Sequence, residues 1–311
     1  MESGAVVLIA ITCFAAFVNG ALGYGFSSLT VPVALLFYAN RILNPALVLI
    51  EVFVNLYVLL INRKSIPLVW KRLHPIVLSL LPGVAAGSHL VATIDPGWMK
   101  FATYATLLPL ILIQVAGLRR PIRSERRIGV LFGTGLGFLY SVTTISGPPL
   151  AVLLNNQGLA KRDFRAGLAL IRVAESTLTA IAYYQFGLFN TESFSLIRMI
   201  VPGLLIAIPL GAQLIRRVDA EMFRRICMSF DVWIVSFGLA RVLTDLKLAQ
   251  GVIAFSPMIA CGLLDIYLLY RFFRKRPAAT PIRTVAAFVA SASPAGPQTR
   301  PAAKRQAANR G

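Results

Sequence analysis

Nine long apolar segments fill most of the first 273 residues and restrict the chain to folds that place them in a membrane. They lie at residues 5–38, 46–61, 73–93, 98–118, 128–154, 166–188, 196–215, 226–243 and 251–273. A helix that crosses a bilayer needs about 20 apolar residues. Because 57% of the chain is hydrophobic and only 14% is charged, we predict an all-α polytopic membrane protein.

The first and fifth segments do not fit a plain spanning helix. Residues 5–38 would form a helix of roughly 50 Å, far longer than a hydrocarbon core of about 30 Å. Glycine tolerates positive φ and proline removes a helix donor, so the chain can break where these residues gather. The residues concerned are Gly20, Gly23, Gly25 and Pro32 in the first segment, and Gly133, Gly135, Gly137, Gly147, Pro148 and Pro149 in the fifth.

The two broken segments open two similar halves of the chain. Gly20, Leu22 and Pro32 align without gaps on Gly137, Leu139 and Pro149. The ends of the halves agree as well, since Pro82, Gly83, Gly87 and Asp95 are echoed by Pro202, Gly203, Gly211 and Asp219. We interpret these matches as an internal duplication, with repeat one at about residues 5–118 and repeat two at about 128–245. The segment at 251–273 is an added C-terminal helix.

The basic residues predict how the chain is threaded through the membrane. If each broken segment is a re-entrant hairpin, all but six of the 31 lysines and arginines collect on one side, as the positive-inside rule requires of the cytoplasm. Each repeat then crosses three times, so the two repeats are inverted. The N-terminus lies outside, residues 1–276 form the transmembrane domain, and residues 277–311 form a disordered basic cytoplasmic tail.

Inverted repeats with discontinuous helices form binding sites near the middle of the bilayer. Half-helices that begin at the breaks would direct free backbone N–H groups towards an anion, and nearby hydroxyls would add donors. The predicted substrate-binding residues at the breaks are Gly23, Gly25, Ser27, Ser28, Thr143, Thr144, Ser146 and Gly147. The alternative is that the small residues only permit close helix packing and that the hydroxyls bond to their own helix backbone.

Two polar pairs lie inside predicted spans. Glu51 and Asn55 are one turn apart on the second segment, and Arg172 and Glu175 are three residues apart on the sixth. Charged groups at membrane depth face a cavity or each other. We expect Arg172 to bind a sulfonate or carboxylate, with Glu51 or Glu175 as a proton carrier. The alternative is that these charged residues form a buried structural ion pair.

Several classes of function find no support in the sequence. It contains no phosphate loop, no metal-ligand cluster and no nucleophile motif, so we predict no enzymatic activity, no metal and no cofactor. The net charge of +19 comes from residues between and after the apolar segments rather than from one amphipathic face. We therefore expect no nucleic-acid partner.

The glycine-rich motifs that end in proline, Gly20 to Pro32 and Gly137 to Pro149, resemble those of the sulfite exporter TauE/SafE family, also called 4-toluene sulfonate uptake permeases. The resemblance covers roughly residues 5–245. It implies a transporter of sulfite, thiosulfate, organosulfonates or related organic acids in the bacterial cytoplasmic membrane, driven by an ion gradient. The second motif has Ser141-Val142-Thr143-Thr144 where family members often carry a run of glycines.

Two hypotheses follow. The first is a secondary transporter whose partners are a small anion, membrane lipid and a coupling proton or sodium ion. The second is a non-transporting membrane scaffold or assembly factor, in which the breaks only allow close packing. Convergence of both breaks on one polar cavity beside Arg172 would favour transport, whereas continuous helices facing lipid would exclude that site.

Overall fold

The predicted all-α fold is confirmed by a computed structural model, which describes residues 2–22, 25–116, 125–155, 161–214 and 220–275. These residues form eleven α-helices and no strand. The helices are α1 (Glu2–Leu22), α2 (Phe26–Ala34), α3 (Asn40–Ile61), α4 (Ile66–Thr93), α5 (Pro96–Val115), α6 (Glu125–Thr143), α7 (Gly147–Asn155), α8 (Lys161–Gln185), α9 (Thr191–Leu214), α10 (Ala220–Asp245) and α11 (Ser256–Lys275).

Eight of the described helices are long and apolar enough to cross a membrane, namely α1, α3, α4, α5, α8, α9, α10 and α11. The chain is therefore an integral membrane protein. Several helices, α3, α4 and α8 among them, begin earlier than their apolar segments, because apolarity marks the middle of a span rather than its hydrogen-bonded ends.

Both broken segments are divided as predicted. The first becomes α1 and the nine-residue α2, and the second becomes α6 and the nine-residue α7. At 21 residues, α1 is roughly 30 Å long, which is enough to cross the hydrocarbon core unaided. Re-entry of the broken segments and inversion of the repeats both remain predictions.

The order of helices in the first half recurs in the second. The start of α3 at Asn40 and the start of α8 at Lys161 differ by 121 residues. The ends of α1 and α6, both ends of α2 and α7, and the ends of α4 and α9 share this spacing. The matches of Gly20 with Gly137 and of Pro32 with Pro149 in the sequence correspond to a spacing of 117 residues instead. The helix boundaries therefore shift which residues correspond around the breaks.

The two halves exchange helices in their packing. Helix α1 packs extensively against α9, and α4 packs extensively against α6. The first helix of each half therefore lies against the fourth helix of the other half. A Cβ on Gly211 would lie 1.8 Å from the carbonyl oxygen of Phe17, and a Cβ on Gly87 would lie 2.8 Å from that of Phe138. The repeated glycines therefore serve these two crossings, where backbones approach too closely for any side chain.

The chain divides into two compact units, residues 1–269 and 270–311. The first unit contains all the helices up to most of α11, the predicted added helix. Within it, the Ser229 hydroxyl of α10 donates to the buried Asp265 carboxylate of α11. The described part of the second unit is the end of α11, and the predicted tail at 277–311 lies outside the described residues.

Two glycines of α6 allow a matched test of the α4–α6 crossing. A Cβ on Gly137 would lie 2.4 Å from the Leu80 carbonyl oxygen, whereas a Cβ on Gly135 meets nothing within 4 Å. We expect Gly137→Ala to destabilise the detergent-solubilised protein by about 1–3 kcal/mol, the usual cost of overpacking. Gly135→Ala should unfold at the wild-type temperature or above it. Equal melting temperatures for the two variants would contradict the close crossing.

Candidate functional site

Each break places a non-helical turn between a long helix and a short one. Gly25 precedes α2 with φ of 109°, a left-handed conformation that glycine adopts without a steric cost. At the second break Thr144 has φ of 57°, which is uncommon for a residue with a side chain. Ser146 then precedes α7. Side chains next to the breaks, among them Ser27 and Ser146, are buried in the helix bundle.

The carboxylate of Glu51 lies at the centre of the polar interior. It accepts hydrogen bonds from the Ser27 hydroxyl at 2.5 Å and from the Tyr140 hydroxyl at 2.7 Å. The Arg172 guanidinium donates to it at 2.6 Å and forms an ion pair. The side chains of Glu51 and Arg172 are 1% and 4% exposed, so the pair is removed from water. A carboxylate with three such donors is well stabilised despite its burial.

The second break contributes to the same cluster through Glu175. The Ser146 hydroxyl donates to Glu175 Oε2 at 2.5 Å, and Glu175 Oε1 has no hydrogen-bond partner in the described residues. Arg172 and Glu175 are both buried, and the Nε atom of Arg172 also lacks a partner there. Each break thus supplies one serine to one carboxylate, and the two carboxylates belong to α3 and α8. We call Ser27, Glu51, Tyr140, Ser146, Arg172 and Glu175 the central cluster.

The other predicted site residues do not join the central cluster. The hydroxyls of Ser28, Thr143 and Thr144 donate to the carbonyls of Gly25, Leu139 and Thr143. These three follow the alternative reading, in which a hydroxyl bonds to its own backbone.

The remaining predicted residues are Asn55, Gly147 and Gly23. Asn55 is buried, and its Nδ2 has no hydrogen-bond partner in the described part of the chain. Gly147 is the first residue of α7. Gly23 lies outside the described residues.

The central ion pair joins equivalent positions of the two halves. Glu51 and Arg172 differ by 121 residues, the spacing at which the helices recur. Helices α3 and α8, which carry them, are equivalent and pack directly on each other. Residues at equivalent positions of a duplicated fold can touch only where the halves meet. The pair therefore lies where the two halves of the chain meet.

A cavity adjoins each break. The one at the second break has a volume of about 380 Å³ and lies between α5 and α6, with Leu110, Phe138 and Thr143 in its lining. The one at the first break has a volume of about 20 Å³ and is lined by Gly25 and by residues of α1, α2, α5 and α10, among them Ser28. Arg172 lines neither of these two cavities. Side chains next to both breaks belong to the central cluster, and all members of that cluster are buried.

Two buried polar residues, Tyr140 and Asp231, were not predicted from the sequence. Tyr140 was not singled out, since a tyrosine in an apolar segment gives no pattern of its own. Asp231 of α10 is 5% exposed. Asp231 could have been predicted from the sequence, because it is a carboxylate inside an apolar segment. Glu51 was selected by the same criterion.

The ion pair can be tested by a double-mutant cycle. We expect Arg172→Met alone to cost about 3–5 kcal/mol of stability, because it leaves the Glu51 charge buried without a counter-ion. Adding Glu51→Gln removes that charge and should recover much of the loss. Unfolding in detergent measures both. Penalties that simply add would contradict a direct interaction.

Comparison with known proteins agrees with the predicted resemblance. The family model of the sulfite exporter TauE/SafE matches residues 8–240, which include both breaks and the whole central cluster. No curated protein and no solved structure matches the chain. Because the family model covers most of the sequence, the chain belongs to the sulfite exporter TauE/SafE family.

Proposed function

We propose that the protein is a secondary transporter of small anions that works by alternating access in the bacterial cytoplasmic membrane. The candidate substrates are sulfite, thiosulfate, organosulfonates and related organic acids. The N-terminus lies outside and the tail lies in the cytoplasm, as the distribution of basic residues favours. We propose no enzymatic activity, since the family is one of transporters.

The observation that carries the proposal is the set of donors around the Glu51 carboxylate. A hydroxyl from the first break, the Tyr140 hydroxyl and the Arg172 guanidinium all donate to one anionic group. Sulfite, sulfonate and carboxylate groups carry the same kind of acceptor oxygens and are recognised by the same donors. The donors around Glu51 therefore suit a substrate anion, with Glu51 occupying the place of the substrate.

Substrate binding then requires the release of Arg172 from Glu51. An anion that replaced Glu51 would leave a second buried negative charge beside it, which is costly at low dielectric. Protonation of Glu51 removes that cost and frees the guanidinium. We therefore propose that one proton enters Glu51 for each singly charged anion bound to Arg172, so that the cluster keeps its net charge. This arrangement favours a proton over sodium as the ion coupled at this cluster.

The alternative, a membrane scaffold or assembly factor, is supported by different observations. Four glycines of α1, α4, α6 and α9 pack against neighbouring backbones, namely Gly20, Gly83, Gly137 and Gly211. Three of the predicted hydroxyls bond locally. A scaffold would use the central cluster only to join the repeats. It would move no anion under any gradient.

Transport is tested with the purified protein in liposomes. Labelled sulfite, thiosulfate, 4-toluene sulfonate and acetate are offered under imposed proton or sodium gradients. We expect a proton gradient to accelerate the uptake of at least one of these anions, whereas a sodium gradient of equal size should not. Uptake no faster than in empty liposomes for all four anions would favour the scaffold.

The role of Arg172 is tested in a background that tolerates its removal. Glu51→Gln removes the competing carboxylate and should tighten anion binding, whereas Arg172→Gln added to it should weaken binding by about 10-fold to 100-fold, the value of a charged hydrogen bond. Arg198→Gln, which removes an exposed arginine of α9, is the matched control. Calorimetric titration of each solubilised variant with a transported anion measures the three affinities. Equal affinities in the single and double variants would exclude Arg172 as the anion ligand.

A further inference from the structure

A second buried acidic site lies beside the first break, on residues separate from the central cluster. Asp231 of α10 is 5% exposed, and its Oδ1 atom has no hydrogen-bond partner in the described residues. A carboxylate at membrane depth is costly unless it is paired or neutralised. A proton or a cation bound at Oδ1 would neutralise the Asp231 carboxylate and remove that cost.

The space beside Asp231 matches a very small occupant. The cavity that it lines has a volume of about 20 Å³, close to the roughly 10–15 Å³ that one water molecule requires. An anion such as sulfite is much larger than a water molecule and does not fit. A proton on Oδ1, with or without a water, fits, and so does a sodium ion.

Two of the other lining residues, Ser28 and Gln114, carry a side-chain oxygen atom. Gly25 also lines the cavity, but its carbonyl oxygen already accepts hydrogen bonds from the Leu29 amide and the Ser28 hydroxyl. The Ser28 hydroxyl gives its hydrogen to the Gly25 carbonyl, which leaves the lone pairs of Ser28 Oγ able to accept. Carbonyl, hydroxyl and carboxylate oxygens are the ligands of hard cations, and unwound backbone at helix breaks often supplies them in transporters.

The charges around the cavity limit the class of cation. Arg224 and Cys227 of α10 also line it, and Arg224 is engaged in an interaction of its own. The lining residues from α1, α2 and α5 carry no charge. A single carboxylate that shares its cavity with a guanidinium is a poor site for a divalent ion. The cavity therefore suits a monovalent cation.

The first half of the chain has no acidic residue at the position equivalent to Asp231. The position 121 residues earlier is Leu110, which lines the larger cavity at the second break. The two cavities thus occupy related places beside the two breaks, but only one contains a carboxylate. The acidic group distinguishes the first break from the second.

We propose that Asp231, with the side-chain oxygen atoms of Ser28 and Gln114, binds one small monovalent cation, either a proton or a sodium ion, at the first break. This site is separate from Glu51, Arg172 and Glu175 and does not depend on their role in anion transport. Occupation of the site neutralises Asp231 and holds α10 against the break.

Thermal unfolding of the full-length protein in detergent tests the site without any transport assay. Melting is measured in sodium chloride against choline chloride at equal ionic strength, and across pH. The variants are Asp231→Asn and Asp265→Asn, a buried aspartate of α11 outside the cavity. We expect sodium or acid to raise the melting temperature of the wild type and of Asp265→Asn by several degrees. Asp231→Asn should lose that response.

The pattern of responses identifies the cation. A rise with sodium at constant pH indicates a sodium ion, whereas a rise with acid that ignores sodium indicates a proton. Ser28→Ala and Gln114→Leu keep the carboxylate, so they apply even if Asp231→Asn fails to fold. Each should shift the midpoint of the response by about tenfold in sodium concentration or about one pH unit. Responses that are unchanged in these variants, or equal in wild type and Asp231→Asn, would overturn the proposal.

Discussion

The ion pair between Glu51 and Arg172 is the interaction around which the interior of the molecule is organised. It joins α3 to α8, and through Ser27 and Tyr140 it holds the first break and the end of α6 against the same carboxylate. Removing two charges from water costs several kcal/mol for each ion unless partners compensate. The hydroxyls from the two broken segments provide that compensation, so the breaks and the ion pair depend on each other.

The fold could be predicted largely from local properties of the sequence. Apolar segments of known length identify spanning helices, and the excess length of residues 5–38 together with Gly25 indicates a break. Arg172 and Glu51 were also accessible, because a charge inside an apolar segment stands out without any knowledge of its neighbours. These signals are local, and the structure retains them.

The sequence could not show which groups meet. The bond from Tyr140 to Glu51 joins residues 89 positions apart, and no periodicity reports such a contact. Thr143 and Thr144 look like donors in the sequence, yet a hydroxyl next to a helix end finds a backbone carbonyl before a distant ligand. The matches of glycine and proline also gave a repeat spacing that the helix boundaries do not share. Only the helix boundaries brought Glu51 and Arg172 into correspondence.

The correspondence of Glu51 and Arg172 has a consequence for how such a chain can have arisen. If the ancestor was one half that paired with its own copy, both copies carried the same residue at the junction. Two glutamates or two arginines in contact there would repel strongly at low dielectric. Opposite charges became possible only once the two copies could change separately. A hybrid chain built from two first halves would bring two carboxylates together, so the present halves are matched to each other and cannot be interchanged.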